Sequence, residues 1–146
     1  MSDFRQVTSS FSASPQITVS DVAEASELGF ALIINNRPEG ESDDQTPGAD
    51  IAGAAYAAGV DYCAIPVAPG GFREEQVRAM AAALAGARGP VLAYCRSGTR
   101  STLLWSLAQA MDGRDPAEIA SEAAGAGYDV APIRSLLEQL AARSRS

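Results

Sequence analysis

The chain has 146 residues, the length of one ordinary domain, and about half of them are apolar; 18 acidic against 11 basic side chains give a formal charge of −7. It contains no histidine and no lysine, so every basic side chain is an arginine. That excludes a Ser-His-Asp triad, a Cys-His pair, an imidazole metal site, a Walker phosphate loop and a lysine Schiff base.

The acidic balance without a basic patch argues against nucleic acid or an anionic membrane as partner. No apolar run approaches the roughly 20 residues of a membrane span, and the polar N-terminus lacks a secretory apolar stretch. Two cysteines make no disulfide framework, so a reduced, cytoplasmic protein is expected.

Residues 1–13 are small and polar, with Ser9, Ser10 and Ser12, and read as a flexible arm ahead of a single domain over 14–146. A short strand is expected around Gln16–Val19. Asp21 and Glu24 have capping-box spacing before a short helix with Val22, Ala25 and Leu28 on one face, ended by Gly29. Phe30–Asn35 is a continuous apolar strand. A polar loop from Asn36 to Gly48, a helix over about Ala49–Ala58 and a strand over Tyr62–Val67 follow. Pro69–Gly71 leads into a helix over Glu74–Ala87, Gly89-Pro90 breaks it, and Val91–Tyr94 is a further apolar strand.

Strands without polar alternation, separated by helices, predict a layered α/β domain with a short, mainly parallel sheet flanked by helices. Helix resumes near Arg100 and runs to Met111. Two more helices are expected, one capped by Asp115 with Pro116 at its first position and one starting between Asp129 and Pro132. In the last, Ile133, Leu136, Leu137 and Leu140 form one apolar face that packs on the domain.

The chemistry concentrates in Tyr94-Cys-Arg-Ser-Gly-Thr-Arg-Ser101, between a buried strand and an apolar helix. A loop at a strand's carboxyl end, facing a helix N-terminus, is where anions bind in open α/β sheets. Gly98 lets successive amides turn inward as a nest formed by Arg96, Ser97, Gly98 and Thr99, and Arg100 adds a planar guanidinium suited to an oxyanion or thiosulfonate. The same field favours the thiolate form of Cys95 without an imidazole. Ser101 is placed to donate to that sulfur or to a leaving atom, or else to cap the helix. Cys63, inside an apolar strand with no glycine or arginine beside it, reads as packing.

The segments Ser14-Pro-Gln-Ile17, Asn36-Arg-Pro-Glu-Gly-Glu41, Ile65-Pro-Val67 and the cysteine loop together resemble the phosphatase-like domain of the beta-lactamase-hydrolase-like family. The resemblance covers nearly the whole chain. It implies a fold like that of dual-specificity protein tyrosine phosphatases, a catalytic domain over 14–146, and Arg37 bordering the anion pocket. Two features depart from true tyrosine phosphatases. Four residues rather than five separate Cys95 from Arg100, a loop length similar to that of rhodanese sulfurtransferases. Ala68-Pro69 stands where those phosphatases carry the aspartate that protonates the leaving group.

Without that acid, expelling an alkoxide or phenoxide forfeits roughly 3–5 kcal/mol of barrier lowering. Glu39, Glu41, Asp43 and Asp44 in the neighbouring loop are substitutes for it, or merely solvated charges. Three functions follow: sulfur transfer through a Cys95 persulfide, phosphomonoester hydrolysis through a Cys95 phosphocysteine, or a non-catalytic oxyanion-binding or redox-sensing module. The expected partner is a small anion: thiosulfate, a persulfide or a phosphoester. Neither chemistry calls for a metal or organic cofactor, and the sequence is silent on oligomeric state.

Overall fold

The computed structural model describes residues 2–145. Five short strands form one sheet: β1 (Arg5–Thr8), β2 (Phe11–Ser14), β3 (Leu32–Asn35), β4 (Asp61–Ala64) and β5 (Val91–Tyr94). Their order is β1-β2-β5-β3-β4, and every pairing is parallel except that of β1 with β2. Six α-helices accompany them: α1 (Val19–Glu27), α2 (Gly48–Ala58), α3 (Glu74–Gly86), α4 (Thr99–Met111), α5 (Pro116–Gly125) and α6 (Arg134–Arg145). The expected layered α/β domain with a mainly parallel sheet is what forms.

The two-residue period of the strands divides the core between the two faces of the sheet. Ile33, Leu92 and Tyr94 point to the side that holds Val22, Ala25, Ile51 and Ala55 of α1 and α2. Leu32, Ile34, Val91 and Ala93 point to the other, where α3, α4, α5 and α6 pack. Helix α4 runs through the middle of that second layer, with Ser101 through Ala108 all buried, so its apolarity reflects neighbours on every side. Phe11 of β2 stacks on Trp105 of α4 with ring centroids 5.3 Å apart and planes 10° from parallel. Such a pair adds about 0.5–1.5 kcal/mol to the area it buries.

Several local expectations differ from what forms. Residues 5–14 are a two-stranded hairpin rather than a loose arm, and all four residues of β2 are buried between β1 and β5. The strand expected around Gln16–Val19 does not form, because Thr18 starts a helix there. The capping box is Thr18 with Asp21, three residues ahead of the expected Asp21 and Glu24. Ile17 before the cap and Val22 in the first turn are both buried in one cluster, and this apolar staple fixes the earlier register. Of the apolar face expected for the last helix, Leu137 and Leu140 of α6 and Ile133 just ahead of it are buried, whereas Leu136 is 37% exposed on the flank.

The remaining boundaries move by one to three residues. Asp115 caps α5 with Pro116 at its start. Asp129 Oδ1 accepts from Ala131 N–H and opens a single 3₁₀ turn, Ala131–Ile133, ahead of α6. No helix among the described residues is long and apolar enough to cross a membrane.

Candidate active site

Strands β2, β5 and β3 are neighbours and parallel, so their carboxyl ends deliver three segments to one edge of the sheet. These are Ser14-Pro15-Gln16, the Cys95–Arg100 loop and Asn35-Asn36-Arg37. The loop is tied to its neighbours through backbone: Cys95 N–H donates to the Ser14 carbonyl at 3.3 Å, and Gln16 N–H donates to the Arg96 carbonyl at 3.3 Å.

Within the loop, Gly98 adopts φ +92°, the left-handed region that a glycine enters at no steric cost. That turn aims its N–H at Cys95 Sγ, 3.1 Å away. It also starts α4, whose first-turn amides stand at the same edge. The expected nest is partly satisfied by the loop itself, because Ser97 Oγ accepts from Thr99 N–H at 3.3 Å and donates to Thr99 Oγ1 at 3.0 Å. Ser101 Oγ is buried and has no hydrogen-bond partner among the described residues. No contact to the sulfur supports the donor role considered for it.

The loop from Asn36 to Gly48 is not a solvated excursion. Glu41 receives Arg100 Nη1 on Oε2 at 2.8 Å and Arg100 Nη2 on Oε1 at 2.9 Å, while Arg100 Nη1 also donates to the Val67 carbonyl at 2.7 Å. Three of the five guanidinium N–H groups are thereby committed to oxygen acceptors, and the Cys95 sulfur also lies within reach of this guanidinium. Arg37 is only 4% exposed and does not border the cleft described below, contrary to the expectation for it. It holds Glu41 from behind: its Nε donates to Glu41 Oε1 at 2.9 Å, its Nη1 to Gln16 Oε1 at 3.0 Å and its Nη2 to Ser42 Oγ at 2.9 Å. Glu39 Oε1 accepts from Gly48 N–H at 2.9 Å and anchors the far end of the loop on α2.

These contacts set the charges. Hydrogen bonds from Arg100 above all, and from Arg37, hold the Glu41 carboxyl down to about 2, so it is ionised across the physiological range. Arg100 is raised above its ordinary value, first by Glu41, with the Cys95 sulfur adding to the effect. The hydroxyl of Ser42 lowers Asp44. Of the carboxylates considered as proton donors, Glu41 is therefore an ion-pair member and Glu39 a helix anchor.

An open cleft of about 550 Å³ is lined by Glu41, Pro69, Arg96, Ser97, Thr99 and Arg100. Arg96, Ser97 and Thr99 are exposed at its surface, whereas Cys95 is fully buried and lies outside its lining. Cys63 sits on the edge strand β4, half-buried, and burial pushes its thiol up, in keeping with a packing role. No three His, Cys, Asp or Glu side chains among the described residues are grouped to hold a metal ion.

Two residues at this edge carried no functional expectation. Gln16 braces Arg37, as above, and Tyr128 touches the loop from the far third of the chain, its hydroxyl donating to the Ser97 carbonyl at 3.3 Å. Gln16 belongs to the Ser14–Ile17 segment that carried part of the resemblance, whereas Tyr128 has no local signature in the sequence.

Comparison with known proteins agrees with this architecture. Residues 3–112 match the family model described as "Beta-lactamase hydrolase-like protein, phosphatase-like domain". A beta-lactamase hydrolase-like protein of Agrobacterium fabrum is 38% identical over 128 residues, covering 87% of this chain and 30% of that protein. The chain thus spans less than a third of that relative's length. A candidate phosphatase from Neisseria meningitidis Z2491 superposes with a TM-score of 0.84 at 32% identity over 96% of this chain and 99% of its own. P. aeruginosa TpbA, solved in a complex with pTyr, superposes with a TM-score of 0.67 at 17% identity, over 99% of this chain and 91% of its own, which speaks to the fold alone. On the family match, and with Cys95 at the carboxyl end of the central strand, the chain belongs to the beta-lactamase hydrolase-like family, as a phosphatase-like domain with a protein-tyrosine-phosphatase-type fold.

Proposed function

We propose that Cys95 is a thiolate nucleophile and that its reaction is the transfer of sulfane sulfur through a Cys95 persulfide. The family and the fold support a cysteine-based, phosphatase-like site; the supply of protons favours sulfur as the group transferred. On the resemblance to tyrosine phosphatases, Ala68-Pro69 stands where those enzymes carry the leaving-group acid, and Glu41, the carboxylate bonded to Arg100, is held ionised at about 2. With both of its oxygens taken up by Arg100 and Arg37, that carboxylate is not placed to protonate a departing alkoxide, and this arrangement carries the reading.

With thiosulfate as donor, the Cys95 thiolate attacks the outer sulfur, a new S–S bond forms, and the donor's S–S bond breaks with its electron pair going to sulfite. Three negative charges enter and three leave, one on the persulfide and two on sulfite, and no proton moves. The charge that spreads over the sulfurs is met by Gly98 N–H and the Arg100 guanidinium. An acceptor thiolate or cyanide then takes the outer sulfur and restores Cys95. Because Cys95 is buried, the exposed side chains of Arg96, Ser97 and Thr99 have to move aside to admit the donor while the Gly98 N–H stays on the sulfur.

The second reading is phosphomonoester hydrolysis through a phosphocysteine, favoured by the family's phosphatase-like description and by the pTyr bound to a protein of the same fold. Intact-mass spectrometry after incubation with thiosulfate separates the two. A gain of one sulfur that cyanide removes is expected. Phosphate release from an aryl phosphate, lost in Cys95→Ser and unaccompanied by sulfur gain, would establish the second reading. Silence in both assays would leave an oxyanion-binding module.

Arg100→Lys is expected to slow sulfur loading tenfold or more, about 1.4 kcal/mol, since a lysine cannot pair with Glu41 and present a planar edge together. Stopped-flow loading kinetics measure it, and unchanged rates would remove Arg100 from the site.

A further inference from the structure

We infer that Tyr128 is a positioning residue for the Cys95 sulfur, acting through the single peptide group that joins Ser97 to Gly98. This rests on the reading of Cys95 as a thiolate and adds a residue that lies beyond position 112, where the family match ends. The Tyr128 hydroxyl donates to the Ser97 carbonyl at 3.3 Å. The N–H of the same peptide group, that of Gly98, donates to Cys95 Sγ at 3.1 Å. Hydrogen bonds in series polarise one another, so a donor on the carbonyl end makes the N–H end a stronger donor to a negative sulfur. It also fixes the plane of the peptide, and with it the direction of the N–H.

The approach is too close to be incidental. A Cβ built on Gly98 would stand 2.1 Å from the Tyr128 hydroxyl oxygen and 2.9 Å from its ring carbon Cζ, so the phenol fills the space directly against the turn. Tyr128 is 6% exposed, and burial raises its phenol above the ordinary value, so the hydroxyl stays protonated and remains a donor. Its ring is held in turn by Arg5 of β1, whose guanidinium carbon lies 5.4 Å over the ring centroid. The charged groups around this arrangement are Arg5, with Asp3 bonded to it at 3.0 Å, and Arg100 of α4 on the side of the sulfur. The N-terminal hairpin and the turn before α6 therefore reach the reactive loop through one aromatic residue.

Tyr128→Phe removes the hydroxyl and keeps the ring. The test follows alkylation of Cys95 by iodoacetamide against pH, read on the Cys95 peptide by mass spectrometry. The quantity of interest is the rate at the pH that gives half-maximal alkylation in the unaltered protein, divided by the plateau rate at high pH. This quotient is expected to fall about twofold to fivefold in Tyr128→Phe, the loss of one hydrogen bond of ordinary strength. A purely structural role would loosen the loop and move both rates together, leaving the quotient unchanged; that result overturns the inference while the thiolate reading stands. If the unaltered protein itself ionises like a free thiol, both fall.

Discussion

Replacing Gly98 with alanine is expected to lower sulfur loading at Cys95 by at least about a hundredfold and to destabilise the fold by about 2–5 kcal/mol. Two independent penalties combine. The residue sits at φ +92°, where a Cβ meets the chain's own backbone. The added carbon also has no room: besides the Tyr128 oxygen at 2.1 Å and Cζ at 2.9 Å, the Ser14 carbonyl carbon lies 3.3 Å away. The turn must rotate to relieve these contacts, and rotation takes the Gly98 N–H off the Cys95 sulfur. Urea unfolding measures the first effect and mass-detected loading the second. Combining the change with Tyr128→Phe relieves only the oxygen contact, so partial recovery of stability is expected. Full activity in Gly98→Ala would mean that the 3.1 Å contact to the sulfur is irrelevant to the chemistry.

Glu41→Ala is expected to destabilise the protein by about 2–4 kcal/mol, because it strands Arg37, a guanidinium only 4% exposed, beside Arg100 with no negative charge between them. It is also expected to weaken anion binding, since Arg100 loses the carboxylate that orients its guanidinium. The acid behaviour follows from the direction of the shift. Glu41 titrates near 2 in the folded protein against an ordinary 4.5, so its contribution is complete at neutral pH and is lost as the pH falls from about 4.5 towards 2. A shift of that size corresponds to about 3 kcal/mol, which solvent at the cleft edge reduces to about 1–2 kcal/mol. Thermal melts between pH 7 and 2.5 should therefore converge for Glu41→Ala and the unaltered protein. Parallel melting curves across that range would show that the ion pairs contribute nothing.

Much of the sheet was legible because buried parallel strands write continuous apolar runs. Leu32–Asn35 and Val91–Tyr94 lie within or match the segments expected, and the glycine and arginine after Cys95 place the loop at the carboxyl end of β5. β2 was not legible. Phe11-Ser-Ala-Ser14 is polar enough to pass for a flexible arm, and only pairing with β5 on one side and β1 on the other explains its burial. The Asn36–Gly48 loop misled for a related reason, since carboxylates at its surface look alike until their partners are known. Arg37 was expected at the pocket and Glu41 as a proton donor or a solvated charge, but Glu41 binds Arg37 four residues before it and Arg100, 59 residues away. Tyr128 left no trace at all, because its role depends on touching a peptide 31 residues earlier in the chain.

If Cys95 carries sulfur as proposed, the strand register also bears on how it can be unloaded. Cys63 aligns with Ile34, and Ile34 with Ala93, so Cys63 lies two strands across from β5 and Cys95 a further two residues along it. At strand spacings of about 4.8 Å and rises of about 3.3 Å, the two Cα atoms are roughly 12 Å apart. A disulfide needs them within about 7 Å, so the second cysteine cannot act as an internal resolving thiol while the sheet is intact. On the proposed persulfide reaction, a sulfur gained by Cys95 is therefore not passed to Cys63, and turnover is expected to rise with the concentration of an added thiol.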